Sequence, residues 1–115
     1  MKGYMDAVIR FNGRYYLLDW KSNYLGPAGV DYSALALERT MVEETYFLQY
    51  LFYTVALDQL LRQKIQDYDY DRHFGGVLYL FLRGIRADAE RHGGVYYVFP
   101  EQDLIRSLGE VLIER

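Results

Sequence analysis

A chain of 115 residues, 51% of them hydrophobic, carries enough apolar material for one core, which excludes wholesale disorder and points to a single domain over residues 1–115. Its formal charge of −3 argues against broad, non-specific adhesion to nucleic acid, and without cysteine neither a disulfide framework nor a thiolate zinc site is possible. No apolar run reaches the roughly 18 residues of a membrane span and the N-terminus has no signal-peptide pattern, so a cytoplasmic protein without membrane contact is expected.

In chain order, only Met1-Lys2-Gly3 stands ahead of the first apolar run, a short lead that suggests an N-terminally truncated fragment. Residues 4–11 and 14–22 are rich in Val, Ile, Leu, Tyr and Phe and flank Asn12-Gly13. That dipeptide tolerates the positive φ values of a two-residue type I′ turn, so the two runs are expected to form a β-hairpin. The turn fixes the register: Phe11 faces Arg14, and counting outward brings Ala7 to Leu18 and Asp6 to Asp19. The two acids fall at a non-hydrogen-bonded position, where Cβ atoms are about 4.5–5.5 Å apart. Their repulsion is relieved either by a shared proton or by a hard cation that takes oxygens from both. Lys21, two residues past Asp19, shares their face. Both strands carry apolar residues on each face, as central strands of a sheet covered on both sides do.

Residues 23–30, with Gly26-Pro27 and Gly29, read as a loop. Asp31 or Ser33 is positioned to cap a helix running from Ala34 to about Val42. The strongest helical segment follows over residues 43–66, with Glu43 and Glu44 at its start, where negative charge suits the dipole. It is apolar almost all round until Asp58, which predicts burial against the sheet. Gln49 interrupts it, and an unpaired buried amide is unfavourable by roughly 1–3 kcal/mol, so Gln49 needs partners or a task. Tyr53 lies one turn further on the same face. Residues 67–73 read as a polar and aromatic connector, 74–82 as a strand buried on both faces, 85–94 as a charged loop, 95–99 as a short strand and 101–113 as an amphipathic helix. This order predicts a mixed α/β layer architecture. The thirteen tyrosines suit half-buried pleated surfaces, and a minority could stack on bases.

Asp-x-Lys alone is a weak signal. With an acid one strand away in register, and a middle carbonyl able to face the same point, it describes a site for Mg²⁺ or Mn²⁺. Such a site suits phosphodiester hydrolysis, in which a metal lowers the pKa of bound water and the lysine orients that water or stabilises developing charge. At these residues a family is recognisable. Asp6, then Asp19-Trp20-Lys21, then Gln49 and Tyr53, resembles the PD-(D/E)XK nuclease superfamily. More narrowly, GYMDAVIRF, GRYYLLDWKSN, LQYLFYTVAL and DYDYDRHFGGVLYLFLRG look like the C-terminal nuclease domain of the RecB family, the exonuclease V beta subunit.

The resemblance spans nearly the whole chain and implies a mixed central sheet flanked by helices, a restriction-endonuclease-like nuclease core lacking its N-terminal helix. It implies a Mg²⁺-dependent deoxyribonuclease of double-strand break repair and recombination, with Asp6, Asp19 and the Trp20 carbonyl as metal ligands and Lys21 as the catalytic lysine. Gln49 and Tyr53 match an element associated with DNA binding. The implied partners are DNA, a helicase portion of the same protein, and RecC-like and RecD-like subunits. The family also places a histidine or glutamate ligand on a helix upstream of the first strand, for which this sequence has only residues 1–5. Glu38, Glu43 and Glu44 are substitutes of low expectation, as are His73 and His92 in predicted loops. The alternative reading is a non-catalytic module of the same fold that binds DNA or a partner subunit.

Overall fold

A computed structural model of the chain describes residues 5–23, 25–26, 29–87 and 93–112. Asn12 and Gly13 have φ of 52° and 78°, the left-handed pair that a type I′ turn requires, and they join β1 (Ala7–Phe11) to β2 (Arg14–Lys21). The register of this antiparallel pair is the expected one, from Phe11 opposite Arg14 to Ala7 opposite Leu18. On its other side β2 pairs in parallel with β3 (Phe74–Phe81), which pairs antiparallel with β4 (Val95–Val98). The result is a mixed four-stranded sheet in the order β1-β2-β3-β4.

Five helices accompany it among the described residues: α1 (Ala34–Glu43), α2 (Tyr46–Lys64), α3 (Tyr70–His73), α4 (Leu82–Ala87) and α5 (Gln102–Leu112). A 3₁₀ turn over Gly29–Tyr32 leads into α1, and Ser33 caps that helix by accepting the Ala36 amide. The chain is therefore α/β, as its element order predicts. No described helix is long and apolar enough to cross a membrane.

The core lies between one face of the sheet and α2. Leu17, Val77, Tyr79 and Phe81 point into it from the strands and meet Tyr50 and Val55 of α2. Asp58 is the charge that α2 admits to this interior. At 2% exposure it accepts Arg106 Nε at 3.0 Å and Tyr68 Oη at 2.7 Å, which ties α2 to α5 and to the segment ahead of α3.

Several expectations are corrected. β1 is an edge strand rather than a central one, with Val8, Ile9 and Phe11 all exposed. Only one face of the sheet is fully covered among the described residues. The other presents half-buried Leu18, Leu78 and Leu80 and exposed Ile9, Trp20 and Tyr97. Nor is α2 buried all round, since Leu48, Phe52 and Leu60, spaced four and eight residues apart, form an exposed stripe. Glu43 and Glu44 do not open α2. They close α1, and Thr45 in the left-handed region (φ 56°) breaks the chain between the two helices. The expected loop after β3 begins as α4, and the connector before β3 ends in α3.

β3 carries one residue more than β2 at its start. The pairing passes from Tyr15 opposite Phe74 to Tyr16 opposite Gly76, leaving Gly75 as the bulge. A side chain at Gly75 would run into the Tyr16 ring and one at Gly76, where φ is 123°, into the Tyr97 ring. The Gly75 carbonyl instead accepts Tyr97 Oη at 2.6 Å. Downstream of the bulge the register brings Asp19 beside Tyr79 and Lys21 beside Phe81.

Candidate active site

Alternation along β2 turns Leu17, Asp19 and Lys21 toward α2 and Leu18 and Trp20 away from it. Asp19 is therefore a carboxylate in the core, at 2% exposure, and not a solvated strand end. Its Oδ2 lies 2.7 Å from Lys21 Nζ. Beyond this short ion pair, the buried oxygen has no hydrogen-bond partner among the described residues. Burial pushes the Asp19 carboxyl above its ordinary pKa of 3.8, the Lys21 ammonium pulls it down less strongly, and Asp6 adds to the rise.

Asp6 stands one residue ahead of β1 and is exposed. Its Oδ2 accepts the Trp20 amide at 2.8 Å, which anchors it across the hairpin next to Asp19. Trp20 thus meets the site through its backbone, while its side chain lies on the opposite face and the residue is 48% exposed.

Gln49 comes from the second turn of α2 and is buried. Its Oε1 accepts Tyr79 Oη at 2.6 Å and Lys21 Nζ at 3.5 Å, so the amide that interrupts the apolar helix faces the carboxylates. Two residues that sequence reasoning did not single out complete the surroundings. Lys21 Nζ lies 4.1 Å from the centre of the Tyr46 ring and 5.5 Å from that of Tyr79. The two rings stack on each other at 5.8 Å, and Tyr79 is fully buried. Helical spacing could have found Tyr46, three residues before Gln49 on the same face. Tyr79 depends on the β2–β3 pairing, which no local pattern states.

The structure thus brings Asp6, Asp19, Lys21 and Gln49 together. Tyr53, one turn beyond Gln49, packs half-buried against the hydrophobic core. No group of three His, Asp or Glu residues able to hold a metal occurs among the described residues. His73 ends α3, bonded to the Asp69 backbone through Nδ1 and stacked on Tyr68, and His92 lies outside the described residues. The fit to a divalent cation rests on two adjacent carboxylates, one of them with a buried oxygen held only by the Lys21 ion pair among the described residues; hard oxygen donors of this kind suit Mg²⁺ or Mn²⁺.

No family model matches the chain. Against individual proteins, it is 47% identical over 111 residues, 96% of its length, to the RecBCD enzyme subunit RecB of Escherichia coli. The RecBCD enzyme subunit RecB of Haemophilus influenzae gives the same 47% over 96% of the chain. That of Mycobacterium tuberculosis gives 38% over 97%. The chain spans 9%, 9% and 11% of these relatives.

Proposed function

From its place as a homologue of one segment of RecB subunits, we propose that this chain is the nuclease portion of a RecB-like helicase-nuclease that hydrolyses DNA phosphodiester bonds in double-strand break repair and recombination. The observation that carries the reading is the buried Asp19 carboxylate, with Lys21 Nζ 2.7 Å from its Oδ2 and Asp6 beside it. A buried carboxylate held above its ordinary pKa works against folding at neutral pH, which is the signature of a site kept for chemistry.

Asp6, Asp19 and the Trp20 carbonyl would hold a Mg²⁺ ion, or Mn²⁺ in its place. When bound, that ion supplies acidity to a coordinated water and positive charge to the scissile phosphate. Lys21 donates a hydrogen bond to the attacking water or to the phosphate oxygen on which negative charge grows. Gln49 fixes the ammonium from the helix side, and Gln49 and Tyr53 place this face of α2 toward DNA. The reading extends to a cytoplasmic exonuclease of the exonuclease V type, with RecC-like and RecD-like partner subunits.

The test is digestion of linear DNA with Mg²⁺ by the full-length protein that contains this chain, comparing wild type with Asp19→Ala and Lys21→Ala. Loss of about 10²–10³-fold or more is expected for each. Digestion by Asp19→Ala at the wild-type rate would overturn the assignment.

A further inference from the structure

Lys21 has a second set of neighbours besides its carboxylate. Its ammonium, on a side chain only 17% exposed, sits over the Tyr46 ring, with the Tyr79 ring behind and Gln49 Oε1 at its flank. The direction of these hydrogen bonds follows from the donors. A lysine ammonium has only hydrogens to give, so the Gln49 amide must turn its oxygen toward it. A hydroxyl approaching that same oxygen must then donate, which is the Tyr79 contact at 2.6 Å.

The arrangement matters because Asp19 is asked to do two things. In the proposed reaction its oxygens go to a cation, and the ion pair that now holds Lys21 is weakened. An ammonium on a four-carbon stem would then be free to swing away. Aromatic faces attract a cation through the ring quadrupole without offering an oxygen lone pair that competes for the metal.

We propose that Tyr46 and Tyr79 are positioning residues for Lys21: the Tyr46 ring seats the ammonium, and the Tyr79 hydroxyl holds the Gln49 oxygen against it, so that the lysine keeps its place when Asp19 is engaged elsewhere. The proposal rests on the nuclease reading for its catalytic meaning, but the seat itself is observable without activity.

The chain has three lysines, Lys2, Lys21 and Lys64, so a sample labelled with ¹³C at the lysine ε carbons gives three resolvable signals, and Lys21→Arg identifies one of them. The Lys21 Hε protons should be displaced upfield by ring currents relative to those of exposed Lys64, and should stay displaced when Mg²⁺ is added. Tyr46→Leu should abolish most of the displacement, whereas Tyr46→Phe, which keeps the ring, should retain it and also control for folding.

In the full-length protein, Tyr46→Leu should lower kcat for DNA digestion by about two- to thirtyfold with KM unchanged, and Tyr46→Phe should restore it. Tyr79→Phe should lower kcat about fivefold while leaving the Tyr46 ring-current displacement in place. A Lys21 signal that coincides with that of Lys64, or equal behaviour of Tyr46→Phe and Tyr46→Leu, would overturn the seat. Failure of the nuclease reading appears elsewhere, as digestion that survives Asp19→Ala.

Discussion

Along β3, Val77, Tyr79 and Phe81 are fully buried, while Leu78 and Leu80 between them are only half-buried. The same contrast runs across β2, where Asp19 is 2% exposed and the neighbouring Trp20 is 48% exposed. One face of the sheet is roofed by α2, and the other is open among the described residues. The roofed face carries the core apolar residues and, among them, the charges of Asp19 and Lys21, which burial alone would not select. The difference teaches that the roof serves chemistry as well as stability. Under α2, Asp19 is buried against the Lys21 ammonium, which lies over the Tyr46 ring, whereas exposed Asp6 is occupied by the Trp20 amide.

The largest expression of this contrast is in stability. Phe81→Ala on the roofed face should destabilise the fold by about 3–5 kcal/mol in urea unfolding, because a cavity opens where no exposed surface was present before. Next comes the charge buried under the helices: Asp58→Ala should lose about 1–3 kcal/mol, since Tyr68 and Arg106 keep their polar groups but lose their acceptor.

The third effect belongs to the buried acid. Protons and Mn²⁺ compete for the Asp19 oxygens, so affinity measured by calorimetric titration should be full above the raised Asp19 pKa and fall about tenfold per pH unit below it. The decline should begin at higher pH than for an ordinary carboxylate of pKa 3.8. The same shift has the opposite sign for the metal-free fold. A raised folded pKa favours folding below the unfolded value, and that contribution is lost as pH rises through the folded one.

The smallest effect belongs to the open face. Ile9→Lys should change stability by no more than about 0.5 kcal/mol, while sedimentation should show less self-association. A loss comparable to that of Phe81→Ala would mean that the open face is a second core.

The register of the hairpin was legible in the sequence from the Phe11–Arg14 pair out to Ala7–Leu18, because Asn12-Gly13 sets it through local backbone preference; the strands themselves are shorter than expected, over Ala7–Phe11 and Arg14–Lys21. The helix cap was narrowed to Asp31 or Ser33 by local preference as well, and Ser33 is the one that caps α1. What lay beyond reach was set by contacts distant in sequence. Nothing near Tyr79 announces that β3 will lie parallel to β2, so its hydroxyl could not be placed against Gln49. The apolar character of α2 suggested burial on every side, yet where Leu48, Phe52 and Leu60 point is decided by how little of the described chain reaches them. Glu43 and Glu44 were assigned to the wrong helix because a single left-handed residue, Thr45, moves the boundary without a glycine to mark it. Within the site, Asp6, Asp19, Lys21 and Gln49 were readable as types at spacings, while the aromatic seat of Lys21 was readable only in space.

The bulge at Gly75 acts on the site as a phase shift. Phe74 and Val77 are an odd number of residues apart, and in an unbroken strand they would point to opposite sides, yet both are buried. The extra residue lets the strand change step once, before Tyr79. Were the same residues laid out in regular alternation without the bulge, every later side chain of β3 would fall half a period out: Leu78 and Leu80 would come under α2, and Tyr79 would carry its hydroxyl to the open face, away from Gln49. The alignment of the lysine is thus timed by a residue that touches none of the site and has no side chain at all.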